Sequence, residues 1–191
     1  EFRGVLLPLW PAHLANSFNK SEATFRNKLY PDNKARRAPA PDDLIPQFAL
    51  NREAVRAFDL PCLEQAGFEA DDLIATYVRE ACERGATATI VSSDKDLMQL
   101  VGKCAEMDGG LGGGCIDMLD TMKNQRIDVA EVEEKFGVVP DLVGDVLALL
   151  GDTADNIPGI RGIGPQTGHK PIPEPGHRAA PPAAAPGSAP A

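Results

Sequence analysis

Apolar positions between residues 69 and 84 recur at three- and four-residue steps. Ala70, Leu73, Ile74, Tyr77, Val78 and Ala81 share one face of a helix, and Gly85 closes it. The run Ala86-Thr87-Ala88-Thr89-Ile90-Val91 that follows is continuous and β-prone, which predicts a buried strand. It opens into Ser92-Ser93-Asp94, a cap for a short helix reaching about Val101. Helix, strand and capped helix form the rhythm of a parallel α/β sheet. The same patterning predicts a helix from about Asp43 to Phe58, stopped before Pro61, with Leu44, Phe48, Val55 and Phe58 near one face. A strand is predicted at Cys115–Leu119, and helices at 128–136 (Val129, Val132, Phe136) and 141–150 (Leu142, Val143, Val146, Leu147, Leu150). Residues 12–18 form a weak strand. Residues 19–46 are polar, basic and marked by Pro31, Pro39, Pro41 and Pro46, and read as a loop or arch. Gly109–Gly114 lacks a Gly-Lys-Ser/Thr ending, so it is a flexible connection rather than a phosphate-binding loop. Beyond Lys170 the chain is nearly all Pro, Ala and Gly, which cannot pack a core and is expected to be disordered.

The 191 residues, 43% of them hydrophobic, suffice for one core and a small appended module. No apolar run approaches the ~20 residues of a membrane span, and Val5-Leu6-Leu7-Pro8-Leu9-Trp10 is too short for a signal peptide. Cys62, Cys82, Cys104 and Cys115 form no C-x-x-C pair, so thiols of a cytosolic protein are expected. The net charge of -9 counts against a nucleic-acid partner. Two features offset it: bound metal would neutralise several acids, and Arg26, Lys28, Lys34, Arg36 and Arg37 concentrate positive charge in one stretch.

Those acids fall in three blocks, each at the edge of an apolar segment: Glu69, Asp71 and Asp72; Asp94 and Asp96; Asp152 and Asp155. Gathered in one pocket, they would repel unless cations bind among them. Hard divalent ions with oxygen ligands are the usual answer, and two such ions cleave phosphate esters in many nucleases. Each block has a plainer explanation alone. First-turn acids stabilise a helix dipole, Asp94 serves as an N-cap, and Asp152 and Asp155 suit a turn. Asp96 is not needed by a cap, and no single alternative covers all three blocks. Gly159-Ile160-Arg161-Gly162-Ile163-Gly164 predicts a tight hairpin whose backbone N–H groups could hold a DNA phosphate without reading sequence; a simple helix–helix turn is the alternative.

Four words carry a resemblance: Thr24-Phe25-Arg26-Asn27-Lys28-Leu29-Tyr30-Pro31-Asp32, Gly67 through Thr76, Val91 through Leu100, and Gly151-Asp152 through Gly164. From about Pro11 to Thr167 the chain resembles the 5′→3′ exonuclease domain of bacterial DNA polymerase I, of the 5′-nuclease and flap-endonuclease group. The resemblance implies a PIN-like α/β fold: a mostly parallel sheet flanked by helices, a helical arch and a helix–hairpin–helix element. It implies a nuclease core over 1–138, an incomplete hairpin element over 139–168 and a disordered tail over 169–191. It carries metal-ligand roles to Glu69, Asp71, Asp72, Asp94, Asp96, Asp152 and Asp155, for two Mg²⁺ or Mn²⁺ ions. Arg26 and Lys34 match positions at the scissile phosphate. Arg36, Arg37, Gly159, Arg161, Gly162 and Gly164 are the expected DNA contacts, with a monovalent cation at the hairpin. The implied reaction is hydrolysis of DNA at 5′ flaps, nicks and duplex ends during replication and repair. The implied setting is a monomer in the bacterial cytoplasm, at the nucleoid and away from membranes, with a polymerase domain following in the parent protein.

The chain departs from that pattern in four places. It lacks the family's opening strand with its Asp ligand, and it has Phe18-Asn19 where the family has Phe-Asp. Its glycine-rich connection is long, and Gly168-His169-Lys170-Pro171 interrupts the second hairpin helix. The chain is therefore expected to be a fragment truncated at both ends, with weakened metal binding and impaired cleavage. The alternatives are a non-catalytic DNA-binding remnant and an acid-rich phosphotransfer enzyme; a duplex-gripping hairpin argues against the latter.

Overall fold

The computed structural model describes residues 11–20, 23–103 and 115–164. The order is β1 (Asn16–Ser17), α1 (Phe25–Leu29), α2 (Ile45–Ala57), β2 (Cys62–Leu63), α3 (Ala70–Glu83) and β3 (Ala88–Val91). A 3-10 helix (Lys95–Leu100), β4 (Gly102–Lys103), β5 (Cys115–Asp120), β6 (Gln125–Ile127) and α4 (Val129–Phe136) follow. A 3-10 turn (Pro140–Leu142), α5 (Val143–Leu150), β7 (Gly151–Asp152) and β8 (Ile157–Pro158) complete the described chain.

The predicted α/β alternation is present, and the sheet is mixed. β1 pairs parallel with β2, and β3 pairs parallel with β5. β4 and β6 run antiparallel to β5. β1 and β3 lie in separate sheets among the described residues, and α3 touches both. Only half of the expected burial of β3 is realised: Ile90 is in the core, whereas Val91 is exposed on a strand that, among the described residues, pairs on one side.

Alternation explains β5, whose Ile116 and Met118 point into the core while Asp117 and Leu119 face outward more. Ile90, Leu97, Met98, Leu100, Ile127, Val132 and Val143 join them, with Ile74, Ala75 and Val78 of α3 packed against this cluster. Cys82 is fully buried there. Cys62 and Cys115 are free thiols, but Cys82 is disulfide-bonded, contrary to the expectation of thiols throughout. α4 begins with a textual N-cap signal: Asp128 accepts from the Ala130 and Glu131 amides, while the Glu131 carboxylate accepts from Asp128 N–H at 3.0 Å. Gly137, in left-handed geometry, ends it.

Two expectations shift. The segment expected to be loop or arch contains α1 and part of α2. The hairpin forms one step earlier than predicted: β7 and β8 pair around residues 153–156. Residues 159–164 instead make a tight turn, with Ile163 N–H bonded to Ile160 O and Gly162 at φ 88°. The glycine-rich connection, the tail and residues after Gly164 lie outside the described residues.

Candidate metal centre

The three acid blocks face one another electrostatically: Asp71 feels Asp94 and Asp96, and Asp96 feels Asp152 and Asp155. Glu69 is the N-cap of α3, with Asp71 and Asp72 in its first turn. Asp94 caps the 3-10 helix just past β3, its Oδ1 accepting from Asp96 N–H at 3.0 Å. Asp152 closes β7, and its Oδ1 accepts from Ala154 N–H at 2.7 Å and Asp155 N–H at 3.3 Å. Glu69 is buried.

Four of the seven acids are held by side-chain cations. Arg26 grips Asp72 through two parallel bonds of 2.7 Å, a bidentate geometry only a guanidinium supplies. Lys34 Nζ lies 2.7 Å from Glu69 Oε2, and Lys95 Nζ 2.9 Å from Asp152 Oδ2. Arg37 pairs with Asp155. Hydrogen bonding to Arg26 holds the Asp72 carboxyl below the usual carboxylate range, and Lys95 does the same for Asp152. Both cations are correspondingly raised.

Asp71, Asp94 and Asp96 have no ion pair among the described residues. Burial, then repulsion from Asp94 and Glu69, pushes Asp71 up. Burial and then Asp94 likewise raise Asp96. Asp96 Oδ1 is buried without a hydrogen-bond partner. Oxygen donors that repel one another, one of them orphaned, fit a hard divalent cation in kind. Among the described residues no three acids stand close enough to share one ion; four of them turn instead toward Arg26, Lys34, Lys95 and Arg37.

The basic segment lies against the hairpin. Lys34 N–H donates to Asp155 O at 2.9 Å, Asn156 Nδ2 to Asp32 O at 2.9 Å and Tyr30 Oη to Asn156 O at 3.1 Å. Lys34 and Asn156 hold positive φ values of 60° and 58°. Arg36 and Arg161 are exposed and have no ion pair among the described residues. Gly159 is packed under the Leu150 carbonyl, where no Cβ fits, whereas Gly162 and Gly164 have room around them. Residues 159–162 of this turn are exposed.

Two contributors, Lys95 and Arg52, and the capping role of Asn19 escape a reading of the sequence. Lys95, between Asp94 and Asp96, joins that corner to the hairpin; its place inside an Asp-Lys-Asp word was the available signal. Asn19 accepts from Ala70 N–H at 2.6 Å, so its amide caps α3 as a carboxylate would while bringing no charge to the site. Arg52 fixes Asn19 in turn, donating to its carbonyl at 2.6 Å, to Glu64 at 3.0 Å and to Phe48 O at 2.8 Å.

Residues 5–137 match the family described as 5'-3' exonuclease, N-terminal resolvase-like domain. A DNA polymerase I of Rhizobium leguminosarum is 51% identical over 167 residues, 87% of this chain and 15% of that protein. A 5'-3' exonuclease of Aquifex aeolicus is 37% identical over 157 residues, 82% of this chain and 50% of that protein. The chain therefore spans half or less of the length of these relatives. Among solved structures, the T5 D15 protein co-crystallised with metal ions superposes with a TM-score of 0.72 at 19% identity, over 90% of this chain and 64% of that one. A complex of the T5 D15 flap endonuclease with DNA and metal ions gives 0.70 at 18% identity, over 88% and 62%. These structures share the fold, α/β with PIN-like organisation. The sequence matches carry the assignment further: this chain belongs to the 5'-3' exonuclease family, through its N-terminal resolvase-like domain.

Proposed function

We propose that the chain is the nuclease portion of a structure-selective 5′→3′ exonuclease and 5′ flap endonuclease of DNA replication and repair. The observation that carries this reading is the mutual repulsion of Asp71, Asp94 and Asp96, which have no ion pair among the described residues, beside Arg26 and Lys34. Glu69, Asp71, Asp72, Asp94, Asp96, Asp152 and Asp155 would supply the oxygen ligands for two Mg²⁺ or Mn²⁺ ions, after a rearrangement that draws them closer than the structure holds them. Such ions supply charge that stabilises the phosphate in the transition state and make water a better nucleophile. Arg26 and Lys34 orient the scissile phosphate, and Arg26 also keeps Asp72 ionised. Arg36 and Arg37 bind the backbone near the 5′ end. The Gly159–Gly164 turn, with Arg161, grips duplex phosphates through backbone N–H groups and takes a monovalent cation. Residues 1–138 form the core in this reading and 139–168 the hairpin element, in a monomeric bacterial protein.

One observation favours a second reading, a DNA-binding chain with feeble chemistry. Asn19 brings no charge to the site, and its oxygen is committed to Ala70 N–H. Cleavage of 5′-labelled flap DNA with Mg²⁺ or Mn²⁺, against EDTA, separates the two. Metal-dependent cleavage that disappears in an Asp71→Asn/Asp94→Asn double variant supports the nuclease. Binding without cleavage by the folded chain supports the second reading.

A further inference from the structure

Two aromatic rings stand at the edge of the acid site without a role in it. Phe25 opens α1, and Phe68 immediately precedes Glu69, the cap of α3. A parallel bridge between Thr24 and Gly67 joins the two loops, and Phe25 N–H donates to Gly67 O at 3.0 Å. Thr24 is buried and forms a capping box with Asn27, so the backbone fixes both rings. Their centroids lie 5.8 Å apart with planes inclined at 56°, which makes an open corner rather than a closed sandwich. Both residues remain exposed, at 38% and 41%, although burial would stabilise them.

The Phe25 ring also carries the Arg26 guanidinium, whose Cζ lies 4.6 Å from its centroid. Arg26 is thereby held between that ring and Asp72. The corner adjoins both groups proposed to orient the scissile phosphate, since Lys34 bonds Glu69, the residue after Phe68. Lys28, three positions beyond Phe25 and on its side of α1, is exposed and has no ion pair among the described residues. Rings interleaved with cations suit single-stranded nucleic acid, whose phosphates meet the charges while a base lies on a ring. A protein partner fits less well, because two partly exposed rings fall far short of the ~800 Å² per partner of a stable interface. Inside a duplex both faces of every base are covered by its neighbours, so an unpaired base is the one a ring can take. Building on the nuclease reading, we infer that Phe25 and Phe68 stack an unpaired base next to the scissile phosphate. This corner makes the chain prefer 5′ flaps and frayed ends to intact duplex.

The test is anisotropy of labelled DNA with the whole chain, in EDTA so that strands stay whole and at one fixed low salt. The probes are a 5′ flap, the same flap with abasic residues next to the junction, and a blunt duplex. The native chain should bind the flap about fivefold or more tighter than its abasic counterpart. Phe68→Leu keeps the apolar bulk and removes the ring. It should lose most of that factor on the flap and no longer distinguish the two flaps, with duplex binding unchanged within about twofold. Phe48→Leu, which removes an exposed ring on α2, should alter none of the three affinities. Equal binding of the two flaps by the native chain overturns the stacking and leaves the nuclease reading standing. A Phe68→Leu loss equal on all three DNAs does the same, because it reports a structural role for the ring. Failure of the native chain to bind any of the DNAs overturns both. The comparison of flaps on the native chain needs no variant, so it decides the matter even where Phe68→Leu does not fold.

Discussion

Asp71 and Asp72 are neighbours in one helical turn, yet their environments push them in opposite directions. Asp72 is lowered by its bond to Arg26, and Asp71 is raised by burial and by Asp94. Asp72 therefore contributes stability above the ordinary carboxylate range, lost as pH falls through its lowered folded value. Asp71 behaves inversely: its ionisation costs stability at neutral pH, and that cost is relieved as pH falls through its raised value. Asp71→Asn is expected to raise the melting temperature of the metal-free chain at pH 7 by about 2 °C, screened as a part-exposed charge is. The gain should shrink on acidification, and metal-dependent cleavage should be lost. Melts at two pH values in EDTA check this; a lower melting temperature at pH 7 would contradict it. Arg26→Ala breaks a bidentate pair and should destabilise by about 1 kcal/mol, read from urea unfolding.

At the scale of elements, the hairpin that carries Asp152 and Asp155 depends on two glycines packed back to back. A Cβ on Gly159 would overlap the Leu150 carbonyl, and one on Gly151 would overlap the Gly159 backbone amide at a φ of 72°. Backbone atoms cannot move aside as a flexible side chain can. Gly159→Ala should thus cost roughly 1–3 kcal/mol and displace β8, whereas Gly164→Ala, with space for a methyl, should be near neutral. Denaturant midpoints of the pair decide this. α4 offers a simpler case: Asp128→Ala removes a cap that accepts from two amides and should lower the melting temperature. Periodicity made α2, α3, α4 and α5 legible, because each repeats apolar residues over two turns or more. α1, β2, β4 and β6 escaped it: two to five residues are too few to show a period, and pairing with neighbours decides them.

Over the whole molecule, the core is small and centred on β5, so few residues carry much of the stability. Met118 and Val132 are fully buried, and Met118→Ala should cost about 2–5 kcal/mol, measured by thermal or urea unfolding. No helix of the described residues is long and apolar enough to cross a membrane. Exposed Ile45, Phe48 and Leu50 on α2 leave that helix with Val55 as its one buried residue among those described. Nothing in the structure explains the exposure of Met122.

The sequence by itself determined the α/β rhythm, the three acid blocks and the nuclease family, because each is written in neighbouring residues: a helical period, a cap, a word such as Asp94-Lys95-Asp96. It could not reveal which cation each acid would face. Arg26 is 46 positions from Asp72, Arg37 118 from Asp155 and Lys34 35 from Glu69. Partners so far apart in sequence are chosen by how the sheet, α3 and the hairpin pack, and packing also decides which acids stay bare. Tertiary structure alone therefore separated Asp71, Asp94 and Asp96, without an ion pair among the described residues, from the four acids that face a cation. It also gave Asn19, chemically a lost charge, the structural task of capping the helix on which Asp71 and Asp72 stand.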